Sequence, residues 1–312
     1  MKIKLLFIIA MASIISACDK PEQPQQQATQ TTTPEAVANK ETQTLPSLSL
    51  AWETEGFGNP ESVVFDEKRN HLYVSNVMGS PVEKDGKGTI SIVSMDGDII
   101  EEAWIVGLHS PKGLALHEDT LYVADVDTLV EIDINTRLIT NYYQAVDAEF
   151  LNDVTAGNNG VIYVTDMMKN RIYSLENGSL DIWLESADLE TPNGILAESG
   201  RLIIGSWGNM TDGFATEIPG HLKEVDLNSK QISSLGDATP VGNLDGVESD
   251  GNGNYYVTDW MAGKLYLISP SGKATLLLEL GQGTADIDVI LGKNLLFVPM
   301  MNNNQLLAYR IN

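Results

Sequence analysis

The sequence predicts an all-β fold, a six-bladed β-propeller with four-stranded blades, on three observations. A short pattern recurs six times: a polar-led apolar run, a turn, then a Leu-Tyr-Val-type run. The copies fall about forty-odd residues apart, the period of a four-stranded propeller blade. No helical 3.6-residue period of useful length interrupts them.

The first copy is Gly58-Asn59-Pro60-Glu61-Ser62-Val63-Val64-Phe65 with Leu72-Tyr73-Val74-Ser75-Asn76. The second pairs Pro111-Lys112-Gly113-Leu114 with Leu121 to Asp125, and the third pairs Leu151-Asn152-Asp153-Val154 with Ile162 to Asp166. Pro192-Asn193-Gly194-Ile195 with Leu202 to Ser206 is the fourth, and Leu244-Asp245-Gly246-Val247 with Tyr256 to Asp259 the fifth. Ala285 to Val289 with Leu296 to Met300 closes the set.

Each copy continues into a hairpin. Asp96-Gly97, Asn177-Gly178 and Ser271-Gly272 mark its tight turns, with type I′ geometry expected where both central residues take positive φ. Asn135-Thr136 and Asn228-Ser229 are less ideal versions. The last copy lacks a strand, while an orphan run, Leu48 to Glu53, precedes the first. That run is expected to supply the outer strand of the last blade, closing the ring and leaving no unpaired seam. Inserts at 78–88 and 208–220 are expected to be face loops that shape a mouth over the axis.

Charge and composition narrow the function classes. The chain has 312 residues, 43% of them apolar and 20% charged, and a net charge of -24, which argues against nucleic acid and against a polybasic membrane patch. Its single cysteine, Cys18, excludes an intrachain disulfide.

Met1 to Lys4 is a short basic region, and Leu5 to Ile15 an apolar one too short to span a bilayer as a mature helix. Ile15-Ser16-Ala17-Cys18 resembles the lipobox of bacterial lipoproteins, which implies a signal peptide over 1–17, cleavage before Cys18 and a lipid on that cysteine. The membrane is then a partner through this lipid alone, and the chain sits in the cell envelope, facing the periplasm or exterior. Residues 18–46, rich in Gln, Thr, Pro and Ala, read as a disordered tether, and residues 47–312 as the propeller. Charges before residue 47 balance, so the propeller carries the whole net charge.

One position in every copy is polar: Glu61, Lys112, Asn152, Asn193, Asp245, Asp286. Propeller blades present their first strand to the central channel, so this column is expected to converge there. Glu61, Asn152, Asn193 and Asp245 form a hard, all-oxygen set suited to Ca²⁺ or another divalent cation. The column holds no His or Cys, which disfavours zinc. Lys112 is expected to pair with Asp286 across the channel, or else to present its ammonium to substrate oxygens. His109 and His221, near blade starts or in a face insert, are candidate general bases, whereas His71 and His117 fall in turns. Trp207, Trp260 and the methionines after second strands, among them Met167, Met261 and Met301, would wall the mouth or fill the space between blades.

With Pro60-Glu61, Leu151-Asn152-Asp153, Pro192-Asn193-Gly194 and Asp245-Gly246 followed by Val257 to Trp260, the chain resembles the gluconolactonase family. That family, also called senescence marker protein or regucalcin, has diisopropylfluorophosphatase and paraoxonase as relatives. The resemblance covers residue 55 to the end. It implies a six-bladed hydrolase whose catalytic cation is held by Glu61, Asn152, Asn193 and Asp245, with a lactone or ester as substrate. Asp245 is assigned a dual role, as ligand and as the catalytic residue that activates or positions the water, or the substrate directly. Asp153 is expected to orient Asn152 from behind. Phe150 stands where sugar-lactone members carry a substrate-binding Arg, which leans the substrate towards an apolar ester or lactone. Two alternatives remain at this point: a non-catalytic propeller binding a protein or glycan in the envelope, and a strictosidine-synthase-like propeller, whose catalytic Glu has no evident counterpart.

Overall fold

A computed structural model describes residues 45–312. The expected signal peptide, Cys18 and the part of the expected tether before Leu45 lie outside the described residues. Six four-stranded antiparallel sheets follow one another in chain order, each a blade. Blade 1 runs Pro60–Asp66, His71–Asn76, Gly88–Ser94 and Ile99–Leu108 from the inside outwards. The inner strands of blades 2 to 5 are Pro111–His117, Leu151–Ala156, Pro192–Glu198 and Leu244–Ser249. Blade 6 has the shortest inner strand, Asp288–Ile290, followed by Leu295–Met300 and Gln305–Ile311.

The ring closes as the sequence predicts. Leu48–Glu55 pairs antiparallel with Gln305–Ile311 and becomes the outer strand of blade 6. The same strand also grips blade 1: Trp52 Nε1 donates to Met95 O at 3.0 Å, and Thr54 Oγ1 to Gly97 O at 2.6 Å. This strand thus crosses the seam between the last blade and the first.

The apolar core is divided among the seams. Buried clusters fill all six, from Tyr73, Ile90 and Leu114 between blades 1 and 2 round to Val63, Leu72 and Phe297 between blades 6 and 1. Burying a large apolar side chain contributes about 1.5–3 kcal/mol, so each seam is held by its own small core. No helix among the described residues is long and apolar enough to cross a membrane. The turns differ in detail from expectation. Asn177 and Gly178 both take positive φ, as type I′ requires, whereas at Asp96-Gly97 and Ser271-Gly272 only the glycine does. Those two hairpins follow the longer pattern in which a left-handed glycine completes the loop.

A bulge recurs in the inner strand of blades 1 to 5. In blade 3, Leu151 pairs with Asp166 and Val154 with Val164, so Asn152 and Asp153 together oppose Thr165 alone. The same two-against-one step falls at Glu61-Ser62, Lys112-Gly113, Asn193-Gly194 and Asp245-Gly246. A bulge re-aims a side chain and frees a backbone group. Here the freed N–H is taken by a second-strand hydroxyl in three blades. Ser62 N donates to Ser75 Oγ, Asp153 N to Thr165 Oγ1 and Gly246 N to Thr258 Oγ1, at 2.8–3.0 Å. Thr165 and Thr258 then donate to the carbonyls of Asn193 and Ala285 in the next blade.

The residue after each polar position therefore faces the neighbouring blade at close range. A Cβ on Gly194 would lie 1.8 Å from Asp245 O, and one on Gly246 2.5 Å from Ile287 N. Gly194→Ala is expected to cost about 1–3 kcal/mol or more by forcing blades 4 and 5 apart. Gly292→Ala, where a Cβ meets nothing within 4 Å, is expected to be close to neutral. Denaturant midpoints of the two variants compare the effects directly; equal midpoints would contradict the packing argument.

Candidate active site

At one end of the channel lies a cavity of about 120 Å³. Its floor is Glu61, Lys112, Asn152, Asn193 and Asp245, five of the six column residues, all buried. Its walls are Phe150, Met167, Trp207, Trp260 and Met301, with Val77 and, from the two inserts, Pro81 and Phe214. The inserts thus shape the mouth as expected, and the tryptophans wall it rather than fill seams. Trp207 is pinned by its Nε1, which donates to Phe214 O at 2.9 Å.

The sixth column residue is elsewhere. Asp286 lines a second cavity of about 160 Å³ further along the channel, with Asp153, Glu248 and Asp288. Its Oδ2 accepts from Ser62 Oγ at 2.6 Å. Lys112 does not pair with it. Lys112 Nζ donates to Ser110 O at 3.1 Å and lies 4.5 Å from the centre of the Phe150 ring, and none of the described acidic oxygens is within 4.0 Å. In blade 6, Thr284 bridges Met300 and Asp288 pairs with Phe297, so the register puts Ala285 where the other blades carry their mouth residue and Asp286 one place further on, at the position of Ser62, Asp153 and Gly246.

Asp153 also differs from expectation. Its oxygens accept from Val154 N and Ile195 N, each at 2.7 Å, so it ties blade 3 to blade 4 instead of orienting the Asn152 amide. Asn152 is positioned by Asn193 and Met167, to both of which its Nδ2 donates. Asn193 Nδ2 donates to Leu244 O at 3.2 Å, which fixes that amide. Neither His109 nor His221 reaches the mouth. His109 Nδ1 accepts from Gly86 N, and His221 Nε2 meets Ser234 Oγ at 2.8 Å.

A layer that the motif reading passed over holds the loops leading into the inner strands. Asp166 accepts from Glu149 N, Phe150 N, Met168 N and Lys169 N. Asp125 accepts from His109 N and Ser110 N, and Asn76 Oδ1 from Gly58 N. These residues end second strands, and their recurrence as Asn76, Asp125, Asp166 and Asp259 was a readable signal. Through Asp166 the blade sets the position of Phe150 over Lys112.

The electrostatics of the floor fit a bound cation. Burial raises the Glu61 carboxyl well above its ordinary range, and Asp245, Asp286 and Asp153 add to this against the opposing Lys112. Asp245 is raised for the same first reason and by Asp286, with the Asn193 amide opposing. Burial pulls the Lys112 ammonium down to about 8, against Glu61, Asp125 and Asp166. Two buried oxygens on the floor, Glu61 Oε2 and Asn152 Oδ1, have no hydrogen-bond partner. Buried unpaired oxygens are costly, and a hard cation is the partner that satisfies carboxylate and amide oxygens together. A half-turn of the Asn152 amide would set its Oδ1 beside Asn193 Oδ1, facing two neutral oxygens onto one point. No group of three or more His, Cys, Asp and Glu suited to a metal occurs among the described residues. The set here is two carboxylates and two amides, which fits an oxygen-liganded divalent cation and not zinc.

A sequence profile of the SMP-30/Gluconolactonase/LRE-like region matches residues 59–294. The chain belongs to that family. Family membership supports lactonase-type hydrolysis as the class of activity. Among solved structures, a gluconolactonase of Xanthomonas campestris is similar at 14% identity and TM-score 0.63, over 86% of this chain and 90% of that one. Virginiamycin B lyase from Staphylococcus aureus is similar at 14% identity and TM-score 0.59, over 85% of this chain and all (100%) of that one. A chain of a nidogen/laminin complex follows at 17% and 0.54, over 69% and 78%. Three different functions on one architecture mean that these likenesses carry the fold alone. No curated protein sequence matches the chain.

Asp286 offers a test of the channel's electrostatics. Burial, with Asp288 beside it, raises its carboxyl to about 7 against the Ser62 hydroxyl. A raised carboxyl contributes stability that is present below its unfolded value and lost as pH rises through the folded one. In chelator, Asp286→Asn is therefore expected to gain on the parent by roughly 1–3 kcal/mol between pH 5 and pH 8. Urea midpoints at the two pH values measure this. A difference independent of pH would show that Asp286 does not titrate in the folded state.

Proposed function

We propose that the chain is a divalent-cation-dependent hydrolase, using Ca²⁺ by the hardness of its donor set, that opens a lactone or ester at the channel mouth. The observation that carries this reading is the meeting of Glu61, Asn152, Asn193 and Asp245, from four blades, on the floor of one apolar-walled cavity. These four residues would hold the cation. Bound there, it supplies a Lewis acid to polarise the ester carbonyl and a charge to stabilise the oxyanion.

The chain's own residues do the rest. Asp245 positions water and accepts its proton; Asn193, tethered to Leu244 O, sets where Asp245's neighbour can lie. Phe150, Trp207 and Trp260 exclude bulk water from the mouth and bind the apolar body of the substrate. With Phe150 on this wall, a polyhydroxylated sugar lactone finds an aromatic face where it would need polar partners. An apolar or aromatic ester or lactone fits better.

The proposal extends to location. Processing at Cys18 would tether the propeller to an envelope membrane by lipid, and Cys18→Ser is expected to move the chain from the membrane to the soluble fraction. An unchanged distribution would remove the anchor. For the activity, phenyl acetate and a simple lactone are the first substrates to try. Chelator is expected to abolish turnover, Ca²⁺ to restore it, and Asp245→Asn to lower kcat/KM roughly 10²–10⁴-fold. Turnover indifferent to chelator, or a Ca²⁺-loaded protein inert to both substrate classes, would sink the reading and leave a binding propeller.

A further inference from the structure

Lys112 stands out on the floor of the mouth. It is 2% exposed, yet its Nζ makes one hydrogen bond, to Ser110 O, and none of the described acidic oxygens lies within 4.0 Å of it. An ammonium carries three donors, so two are left without a protein partner. The Phe150 ring, 4.5 Å away, offsets part of the cost of burial, but a buried charge without an ion partner remains expensive. The partner expected for it in the repeat, Asp286, is committed to Ser62 and lines the other cavity.

The charge count in the mouth gives this a direction. Glu61 and Asp245 are the acidic residues of the floor, and together they would balance one divalent cation. Lys112 is then the one charge of the floor without a counter-ion among the lining residues, and the two other acids whose charges act on it, Asp125 and Asp166, are engaged by backbone N–H groups. We propose that Lys112 is a substrate-binding residue that selects singly anionic substrates: esters or lactones with an apolar or aromatic body and one carboxylate, which Lys112 pairs with while the scissile carbonyl lies towards the four oxygen donors. This rests on the hydrolase reading for the reaction, but anion binding by Lys112 can be measured without any reaction.

Two arms test it with the Ca²⁺-loaded protein. In the first, 3- and 4-acetoxybenzoate are compared with their methyl esters, which differ in charge and hardly in leaving group. The wild type is expected to favour the anionic member by about tenfold or more in kcat/KM, mainly through KM, and Lys112→Met to erase that ratio. Lys112→Arg, which keeps the charge, is expected to retain most of the preference. In the second arm, quenching of Trp207 and Trp260 reports binding of benzoate against benzyl alcohol. Lys112→Met is expected to weaken benzoate at least about tenfold more than benzyl alcohol. If no ester is cleaved, the hydrolase reading fails while the benzoate arm still decides the role of Lys112. The proposal is overturned if the wild type shows no preference for the anion, or if Lys112→Met depresses both members equally. It is also overturned if benzoate binding survives Lys112→Met but vanishes with chelator, since the cation is then the anion's partner.

Discussion

The close approach of neighbouring inner strands is the constraint on which the rest of this structure depends. Each of five inner strands bulges by one residue, so a polar side chain turns into the channel and the residue behind it presses on the next blade. That second residue must be glycine, as at 113, 194 and 246, or a side chain that bonds across the seam. Ser62 donates to Asp286, and Asp153 accepts from Ile195 N. The same geometric step that packs the ring therefore aims the site. A buried oxygen on the floor is held in place by backbone that cannot move without parting two blades.

This coupling explains how the site tolerates its own chemistry. Two carboxylates and an ammonium sit in a mouth walled by tryptophan, phenylalanine and methionine, where unpaired charge is costly. The floor does not neutralise itself, since Lys112 meets neither Glu61 nor Asp245 within ion-pair distance. Its unsatisfied groups, Glu61 Oε2, Asn152 Oδ1 and two donors of Lys112, are instead turned to the cavity or left beneath it. Such a floor suits the cation and the anionic substrate proposed for it.

Much of this was legible in the sequence because a repeat converts distance along the chain into adjacency in space. Strand count, ring closure by Leu48–Glu55, the four oxygen donors and the two mouth-forming inserts all follow from aligning copies. The same alignment misled at Asp286 and Lys112. It took Asp286 as the sixth member of the column, but the bridge from Thr284 to Met300 puts Ala285 there and Asp286 one residue along, against Ser62 of blade 1. Asp153 misled for a related reason: adjacency to a ligand suggested support for that ligand, whereas the bulge sends it across to Ile195 N. Phe214 was invisible because its insert has no counterpart in the other copies. The orientation of the Asn152 amide depends on what lies in the cavity, and no pattern of residues encodes it.

The central claim is that oxygen donors from four blades hold one divalent cation at the mouth. Crystals grown with Ca²⁺, or with Mn²⁺ for its anomalous signal, test it most directly. The account predicts a single peak bounded by Glu61, Asn152, Asn193 and Asp245. A mouth without a peak, or a peak only between Asp286 and Asp288 further down the channel, would contradict it.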